Sequence, residues 1–147
     1  MSLITDKVFY NALRSNAALM AQVGGRIEST SIPVPDEQLD NEPVPFIIIT
    51  FDGLQNDGYT KDNSFEGDTD KVTVSIEVAA QSRDELGQIM TDIRQTVIDY
   101  FEDEDGHAWD DYEYVPQNYT FSAGPVSYDS MKPCYYQVLS YACDTTP

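Results

Sequence analysis

A strictly alternating strand that runs into a long amphipathic helix constrains the fold of this chain more than any other feature. In KVTVSIEV, residues 71–78, apolar and polar residues alternate, so one face of the predicted strand is apolar and the other is wet. Ser82 and Glu85 have the spacing of a capping box and predict where the helix begins. The apolar residues that follow recur every three or four positions and predict one stripe over roughly five turns: Leu86, Ile89, Met90, Ile93, Val97, and Tyr100 or Phe101. Such a stripe needs an apolar sheet face to cover it.

Two shorter helices are predicted before these elements. Apolar residues at helical spacing predict a helix over residues 3–14, and Ser15 can cap a second helix over residues 16–23. The pair Gly24-Gly25 ends the second helix, because glycine tolerates the left-handed backbone that follows many helices. An extended segment is predicted to begin immediately after it.

Three further strands are predicted. The continuous run FIIITF, residues 46–51, favours a strand that is covered on both faces and central in the sheet. Residues 52–70 contain two Asp-Gly pairs and predict a long hairpin loop. The last two strands cover roughly residues 113–123 and 133–144. Neither face of the final strand is purely apolar, which is typical of an edge strand or of one that contacts a partner.

The predicted order of elements is α-α-β-β-β-α-β-β. It indicates an α+β fold, with helices packed on one face of a mainly antiparallel sheet. At 147 residues the chain fits one domain, residues 1–147, which is large enough to fold without a metal or a disulfide. Cys134 and Cys143 lie nine positions apart on one predicted strand, so we expect their side chains on opposite faces, about 30 Å apart and not bridged. Two such thiols fit a reducing cytoplasm.

The charge balance argues against two classes of partner. With 26 Asp and Glu against 8 Lys and Arg, the formal net charge is -18, which repels phosphate backbones and anionic lipid. Passage of DNA through an acidic channel that does not grip it is compatible with this charge. The amino terminus shows no secretion signal, and the longest apolar runs fall far short of the roughly 20 residues that span a bilayer. We therefore expect a soluble protein.

The acidic residues concentrate in predicted loops. Residues 28–70 contain eleven acids and one base, and residues 102–114 contain seven acids and no base. This distribution indicates either simple solubility or a functional surface with negative potential, such as a partner-binding face or a channel wall.

The segment FEDEDGHAWDDYEY, residues 101–114, is the densest candidate for a metal or catalytic site. A calcium loop needs oxygen ligands at positions 1, 3 and 5, Gly at 6 and a bidentate Glu at 12. With Gly106 at position 6, Phe101 falls at position 1 and Tyr112 at position 12, so the pattern fails. His107 is the only histidine of the chain, which is too few for a zinc site. We interpret the segment as a solvated acidic loop, with loose divalent-cation binding as the alternative.

Motifs for catalysis are absent from the sequence. The chain has no GxSxG, no HExxH, no phosphate-cradling glycine loop and no cysteine close to the histidine in sequence. We predict no catalytic residue, no cofactor and no metal site, and hence no enzyme. A hydrolase built on clustered carboxylates stays open as an alternative. So does a small acidic adaptor that mimics the charge of DNA and binds a basic partner.

Four stretches carry a resemblance to a known family: ALRSNAALMAQVGGRI (12–27), PFIIITFDG (45–53), KVTVSIEVAAQSRDELGQIMTDIRQTV (71–97) and YYQVLSYACD (135–144). Together they resemble the tail-completion family of tailed bacteriophages and prophages. Members pair a helix and a Val-Gly-Gly-Arg-Ile-like turn with an alternating strand, a helix rich in small and aliphatic residues, and a carboxy-terminal hairpin. The resemblance covers most of the chain.

The resemblance implies a structural virion assembly protein, similar to tail terminators and tail-to-head joining proteins. Such a protein would form a ring with itself, commonly of six copies, cap the tail-tube protein and dock on the head-tail connector protein. DNA would only pass through its lumen, and no membrane partner is expected. The implied location is the host bacterial cytoplasm during assembly and then the virion tail. The family has no active site, so no catalytic residue carries over to this chain.

Two segments are our candidates for partner contact. One is the predicted hairpin loop, which would order on assembly, and the other is the final strand with its aromatic side chains. The residues singled out are Asp57, Tyr59, Lys61, Phe65 and Glu66 in the loop, and Tyr135 and Tyr141 in the strand.

Overall fold

Three helices and six strands make up the part of the chain that the structure describes. The computed structural model describes residues 5–29, 44–56, 69–102 and 117–145. The helices are α1 (Thr5–Arg14), α2 (Ala17–Gln22) and α3 (Arg83–Phe101). The strands are β1 (Ile27–Ser29), β2 (Phe46–Asn56), β3 (Asp70–Ala80), β4 (Gln117–Ala123), β5 (Ser127–Asp129) and β6 (Cys134–Thr145).

The strands form one sheet in the order β1-β2-β3-β6-β4, with β5 also paired to β6. Among the described strands only β1 and β2 run parallel, and every other pair is antiparallel. The central strand β3 pairs over its whole length with β2 on one side and β6 on the other. The predicted α+β fold with a mainly antiparallel sheet is confirmed.

The core lies between one face of the sheet and the helices. The apolar positions of the alternating strand and of the α3 stripe meet there, and all are buried: Val72, Val74, Ile76, Val78, Leu86, Ile89, Met90, Ile93 and Val97. Each large aliphatic side chain buried in this way stabilises the fold by about 1.5–3 kcal/mol. Phe9 of α1 extends the core, with its ring centre 5.0 Å from that of Phe101 and 5.2 Å from that of Tyr141. The predicted helix stripe and its sheet cover are therefore confirmed.

Helix α3 begins with the predicted cap. The Ser82 hydroxyl accepts the N–H of Glu85 at 3.1 Å. The Glu85 carboxylate in turn accepts the N–H of Gln81 at 3.2 Å, one residue before the cap. Both N–H groups are therefore satisfied locally, which stabilises the start of α3 directly after β3.

Asn16, rather than Ser15, caps α2. Asn16 has an extended backbone, and its Oδ1 accepts the N–H groups of Ala18 and Leu19 at 3.1 and 3.2 Å. The Ser15 hydroxyl instead donates to the carbonyl of Ala12 at the end of α1. Asn and Ser are similarly good N-cap residues. Because the Ser15 hydroxyl is already bonded to α1, the neighbouring Asn16 caps α2.

The turn after α2 explains the Gly-Gly-Arg sequence. Gly24 and Gly25 have φ angles of 62° and 77°, a left-handed conformation that only glycine adopts without strain. The turn brings Arg26 to the carbonyl of Pro45, to which its Nε donates at 2.9 Å. The extended segment predicted after the glycines is confirmed as β1, which lies parallel to β2.

Two expectations for β2 are wrong, and one is confirmed. Among the described residues, helices cover one face only: Ile47 and Ile49 are buried there, whereas the intervening Ile48 is half-buried on the other face. Asp52 and Gly53 belong to the strand, at a register shift, and not to the hairpin loop. A β-bulge of this kind accommodates an Asp-Gly pair within a strand, although such a pair usually predicts a turn. The strand is internal as predicted, between β1 and β3.

The prediction of β6 as an edge strand is also wrong. It is flanked by β3 on one side and by β4 and β5 on the other. Its alternate residues Leu139, Tyr141 and Cys143 are buried on the helix face, and the Gln137 side chain donates to the carbonyl of Gly124 at 2.6 Å. The polar Gln137 on the helix face is thus satisfied by the turn between β4 and β5. The alternative, that this strand contacts a partner, stays a prediction. The sequence does not predict β5, because three residues are too few for a periodic signal.

Candidate docking face

No helix among the described residues covers the sheet face opposite the core, which we call the open face. Its side chains come from β2, β3 and β6 and are half-buried: Phe46, Ile48, Thr50, Thr73, Ser75, Glu77, Tyr136, Val138 and Ser140. A mixed apolar and polar composition is compatible with a protein–protein interface, because interfaces as a whole are about as apolar as the rest of a protein surface.

One half of the open face is polar. Thr50, Ser75 and Ser140 are neighbours in a row across three strands. The Ser75 hydroxyl donates to the carboxylate of Asp52, beside the register shift in β2. Hydroxyl groups of this kind can both donate and accept, so this half can bind water or a polar partner surface.

The other half is aromatic and holds a pocket. In the row Phe46, Ala79, Tyr136, two rings stand on either side of an alanine. Because neighbouring strands are about 4.8 Å apart, the two aromatic residues are about 10 Å apart, and the small alanine leaves a slot between them. A cavity of about 640 Å³ opens there, and the remaining residues that line it are Glu77, Asp129, Met131, Lys132 and Cys134.

The turn between β5 and β6 forms one wall of this pocket. The Asp129 carboxylate accepts the N–H groups of Met131 and Lys132 at 2.9 and 3.4 Å, which shapes the turn. Lys132 folds back so that its ammonium lies 5.0 Å from the centre of the Phe46 ring, within the range of a cation–π interaction. The Met131 side chain points away from the core and is 95% exposed.

Neither cysteine is placed for nucleophilic chemistry. Burial is the main cause of the raised pKa of Cys134 at the floor of the pocket. The Asp129 carboxylate raises this pKa further, Lys132 lowers it, and Glu77 raises it by a smaller amount. Burial in the core raises the pKa of Cys143 to about 12. Both thiols therefore keep their protons at neutral pH. They are free and lie on opposite faces of β6, as predicted.

A family comparison decides the class of the protein. Residues 7–115 match the family described as tail completion protein gp17. The chain belongs to this tail completion family. The match contains the Gly-Gly-Arg turn, β2, β3 and α3, so the family resemblance of the sequence is confirmed. By family the chain is accordingly a structural phage tail protein. The turn at residues 129–133, which forms one wall of its pocket, lies beyond the matched range.

A solved virion structure contains a similar fold. A chain of the structure entitled "Virion of native gene transfer agent (GTA) particle" matches this chain with a TM-score of 0.59 at 12% sequence identity. The match covers 97% of this chain and 94% of that chain, so the two share one fold over nearly their whole length. No curated protein matches the chain.

The residues predicted to contact partners fall into two groups. Five lie outside the described residues: Asp57, Tyr59, Lys61, Phe65 and Glu66. Of the other two, Tyr135 is half-buried, with its ring centre 5.0 Å from that of Tyr128. Tyr141 is 2% exposed, and its ring lies 5.2 Å from those of Phe9 and Phe121, so its aromatic side chain serves the core. Partner contact through these seven residues stays a prediction.

The sequence does not single out two exposed apolar side chains of the chain, Tyr128 and Met131. Tyr128 is 56% exposed and Met131 is 95% exposed, and both lie on the β5–β6 hairpin. Met131 lines the pocket, whereas Tyr128 lies beside Tyr135 on the other face of the sheet. The signal that could have found them is a Tyr and a Met on either side of the polar pair Asp129-Ser130. Large apolar residues next to such a turn have no core to enter.

The described ranges contain no candidate metal site and no candidate membrane span. No group of three or more His, Cys, Asp or Glu there could hold a metal ion. No helix there is long and apolar enough to cross a membrane. Residues 103–114, with the calcium alignment placed on them, lie outside the described residues. The interpretation of that segment as a solvated acidic loop stays a prediction, and loose divalent-cation binding stays its alternative.

Proposed function

We propose that this chain completes the tail of a phage or prophage: copies of it form a ring that caps the tail tube and docks on the head-tail connector. The family match over residues 7–115 is the observation that carries the proposal. The similarity of fold to a chain of a gene transfer agent virion supports it. The protein acts by surface complementarity and not by chemistry.

The two edges of the sheet support assembly into a ring. A closed ring joins one patch of each copy to a different patch of the next copy, so it requires two unlike surfaces. Among the described strands, the edges are β1, with three residues, and β4, with seven. Free backbone groups at a sheet edge favour pairing with another chain. Six copies is the number that the family resemblance implies.

The net charge supports the proposed path of DNA through the ring. A lumen lined by a chain with a charge of -18 repels phosphate groups, so DNA slides through without being held. The partners in this proposal are further copies of the chain, the tail-tube protein and the connector protein. Assembly takes place in the cytoplasm of the bacterial host, and the finished ring stays in the virion tail.

We also take residues 1–147 to act as a single domain. One core cluster supports this, because it draws on elements from both ends of the described chain. Phe9 of α1, Val97 of α3 and Cys143 of β6 all belong to it.

Deletion of the gene from the phage or inducible prophage that encodes it tests the proposal. The lysate should contain filled heads and separate tails, counted by negative-stain electron microscopy, and a plasmid copy of the gene should restore joined particles. Heads joined to tails of normal length at the wild-type frequency in the deletion lysate would refute it.

The alternative, an acidic adaptor for a basic protein, is favoured by the charge of the chain. It predicts binding that weakens steeply with salt and no ring. Native mass spectrometry over a concentration series separates the two functions. A closed ring supports tail completion, whereas a monomer that forms a salt-sensitive complex with one basic protein supports the adaptor.

A further inference from the structure

The pocket on the open face has an aromatic residue on each of two sides. Phe46 and Tyr136 stand on either side of Ala79, so the slot has an aromatic wall on each side. Ammonium and guanidinium groups bind over such rings by cation–π attraction. Lys132 gives a direct example, because its ammonium lies 5.0 Å from the Phe46 ring centre.

Glu77 supplies a carboxylate at the side of the slot. It precedes Ala79 by two residues on β3, so its side chain lies on the same face, and it lines the pocket. Glu77 is half-buried, and within the described ranges its carboxylate makes no hydrogen bond or ion pair. A partly desolvated carboxylate of this kind gains from an incoming cation that donates hydrogen bonds.

The balance of charge in the pocket is negative. The carboxylates of Glu77 and Asp129 line it against the single ammonium of Lys132. At Cys134 on the floor, both carboxylates raise the pKa of the thiol, and Asp129 acts more strongly than the opposing Lys132. The net charge of -18 acts in the same direction at longer range.

We infer that this pocket binds an arginine side chain presented by a basic partner protein. The guanidinium stacks between Phe46 and Tyr136 and pairs with Glu77, while Lys132 moves aside. Arginine fits better than lysine, because its planar group suits a slot between two rings and can pair bidentately with a carboxylate. Nucleic acid and a second, equally negative copy of the chain are repelled at this site. The inference rests on the proposed function only in taking the partner to be a virion protein.

Titration of the nitrogen-15-labelled chain with N-acetyl-L-arginine amide tests the pocket directly by nuclear magnetic resonance. The amide signals of Glu77, Cys134 and Tyr136 should shift together and saturate. N-acetyl-L-citrulline amide, a neutral molecule of nearly the same shape, should leave them in place. Equal responses to both probes, or no response at these amides, would overturn the inference.

Charge variants should change the dissociation constant of the arginine probe in opposite directions. Glu77→Gln should weaken binding about threefold, as expected for a partly exposed ion pair. Lys132→Met should tighten binding, because it removes a competing cation. Glu102→Gln is the matched control, since it makes the same change at the exposed end of α3. Equal affinities of Glu77→Gln and Glu102→Gln would exclude the pairing with Glu77.

A virion assay separates this inference from the proposed function. The deletion strain is complemented with Glu77→Arg or with the control Glu102→Arg. Each variant is first checked for a wild-type melting temperature. If Glu77→Arg melts at a lower temperature, it is replaced by Glu77→Gln, which keeps the side-chain size. Loss of joined particles with the Glu77 variant alone supports the pocket. If the deletion blocks joining and the Glu77 variant restores it fully, the pocket inference fails and tail completion stands. If the deletion strain joins heads and tails normally, tail completion fails and the titration decides on the pocket.

Discussion

The side-chain amide of Asn16 donates a hydrogen bond of 2.8 Å to the hydroxyl of Thr96, 80 residues later in the chain. Asn16 also caps α2 through its Oδ1, while the Thr96 hydroxyl donates to the carbonyl of Asp92 within α3. One residue therefore begins a short helix and ties it to the long one. A helix of six residues is too short to be stable alone, so this contact helps to hold α2 in place.

Asn16→Ala should lower the free energy of unfolding by about 1–2 kcal/mol, because it removes both the cap and the bond to Thr96. Asn16→Asp keeps an oxygen for the cap but loses the amide donor, so it should lose only about 1 kcal/mol. Urea unfolding measures both values. A wild-type midpoint for Asn16→Ala would show that the contact does not contribute to stability.

Two glycine-to-alanine changes should shift stability in opposite directions. At Gly24, φ is +62° and a new Cβ would lie 2.5 Å from Nη1 of Arg26, so Gly24→Ala should destabilise the fold by about 1–2 kcal/mol. At Gly87, inside α3, the nearest atom to a new Cβ is Nη1 of Arg83 at an ordinary 3.6 Å, so Gly87→Ala should stabilise by about 0.5–1 kcal/mol. Thermal melts followed by circular dichroism measure both changes. A rise in melting temperature for Gly24→Ala would be inconsistent with the turn described above.

The free energy of unfolding should fall as the pH rises above about 9, in part because of Cys143. In the unfolded chain this thiol ionises near its ordinary pKa of 9.0, whereas burial in the folded chain raises the pKa to about 12. Between these values the unfolded state has released a proton that the folded state still holds, so alkaline pH favours unfolding. Cys143→Ala lowers stability at neutral pH through lost packing, but its stability should fall less steeply above pH 9. Parallel pH profiles for the variant and the wild type would disprove this assignment.

Replacement of residues 57–66 by a short Gly-Ser linker should leave the monomer folded and block tail joining. The flanking strand ends are already side by side, since Asn56 pairs with Asp70 and its amide donates to the Asp70 carboxylate at 2.7 Å. The replacement removes the five predicted contact residues Asp57, Tyr59, Lys61, Phe65 and Glu66. A melting curve checks the fold, and complementation of the deletion strain checks joining. Normal joining by a folded variant would exclude a role for this segment.

Periodic segments of the sequence predicted their structure well. The alternation in β3 and the stripe of α3 each have one dominant period, and burial on one side follows from it. The prediction for β2 was wrong about its faces, because Ile48 is β-branched like Ile47 and Ile49 although it lies half-buried on the open face. The prediction of β6 as an edge strand was wrong because β4 and β5 pair with its outer side, and the amide of Gln137 bonds to Gly124 in the turn between them. Local composition does not report such tertiary contacts.

The pocket could not be predicted from the sequence, because cross-strand register creates it. Phe46, Ala79 and Tyr136 come from three strands that are far apart in sequence, and only their pairing sets two rings around an alanine. The alternation of β3 predicts only that Glu77 lies on the solvent-exposed face of the strand. Its position beside the slot depends on which residues of β2 and β6 lie next to it.

A cryo-electron-microscopy reconstruction of the head-tail junction of purified particles tests tail completion most directly. We expect a closed ring of copies of this fold between the tail tube and the connector. The acidic surface of the ring should face the DNA, and an arginine of a neighbouring protein should lie between Phe46 and Tyr136. Complete particles whose junction is resolved to side-chain detail and contains no copy of this six-stranded sheet would contradict it.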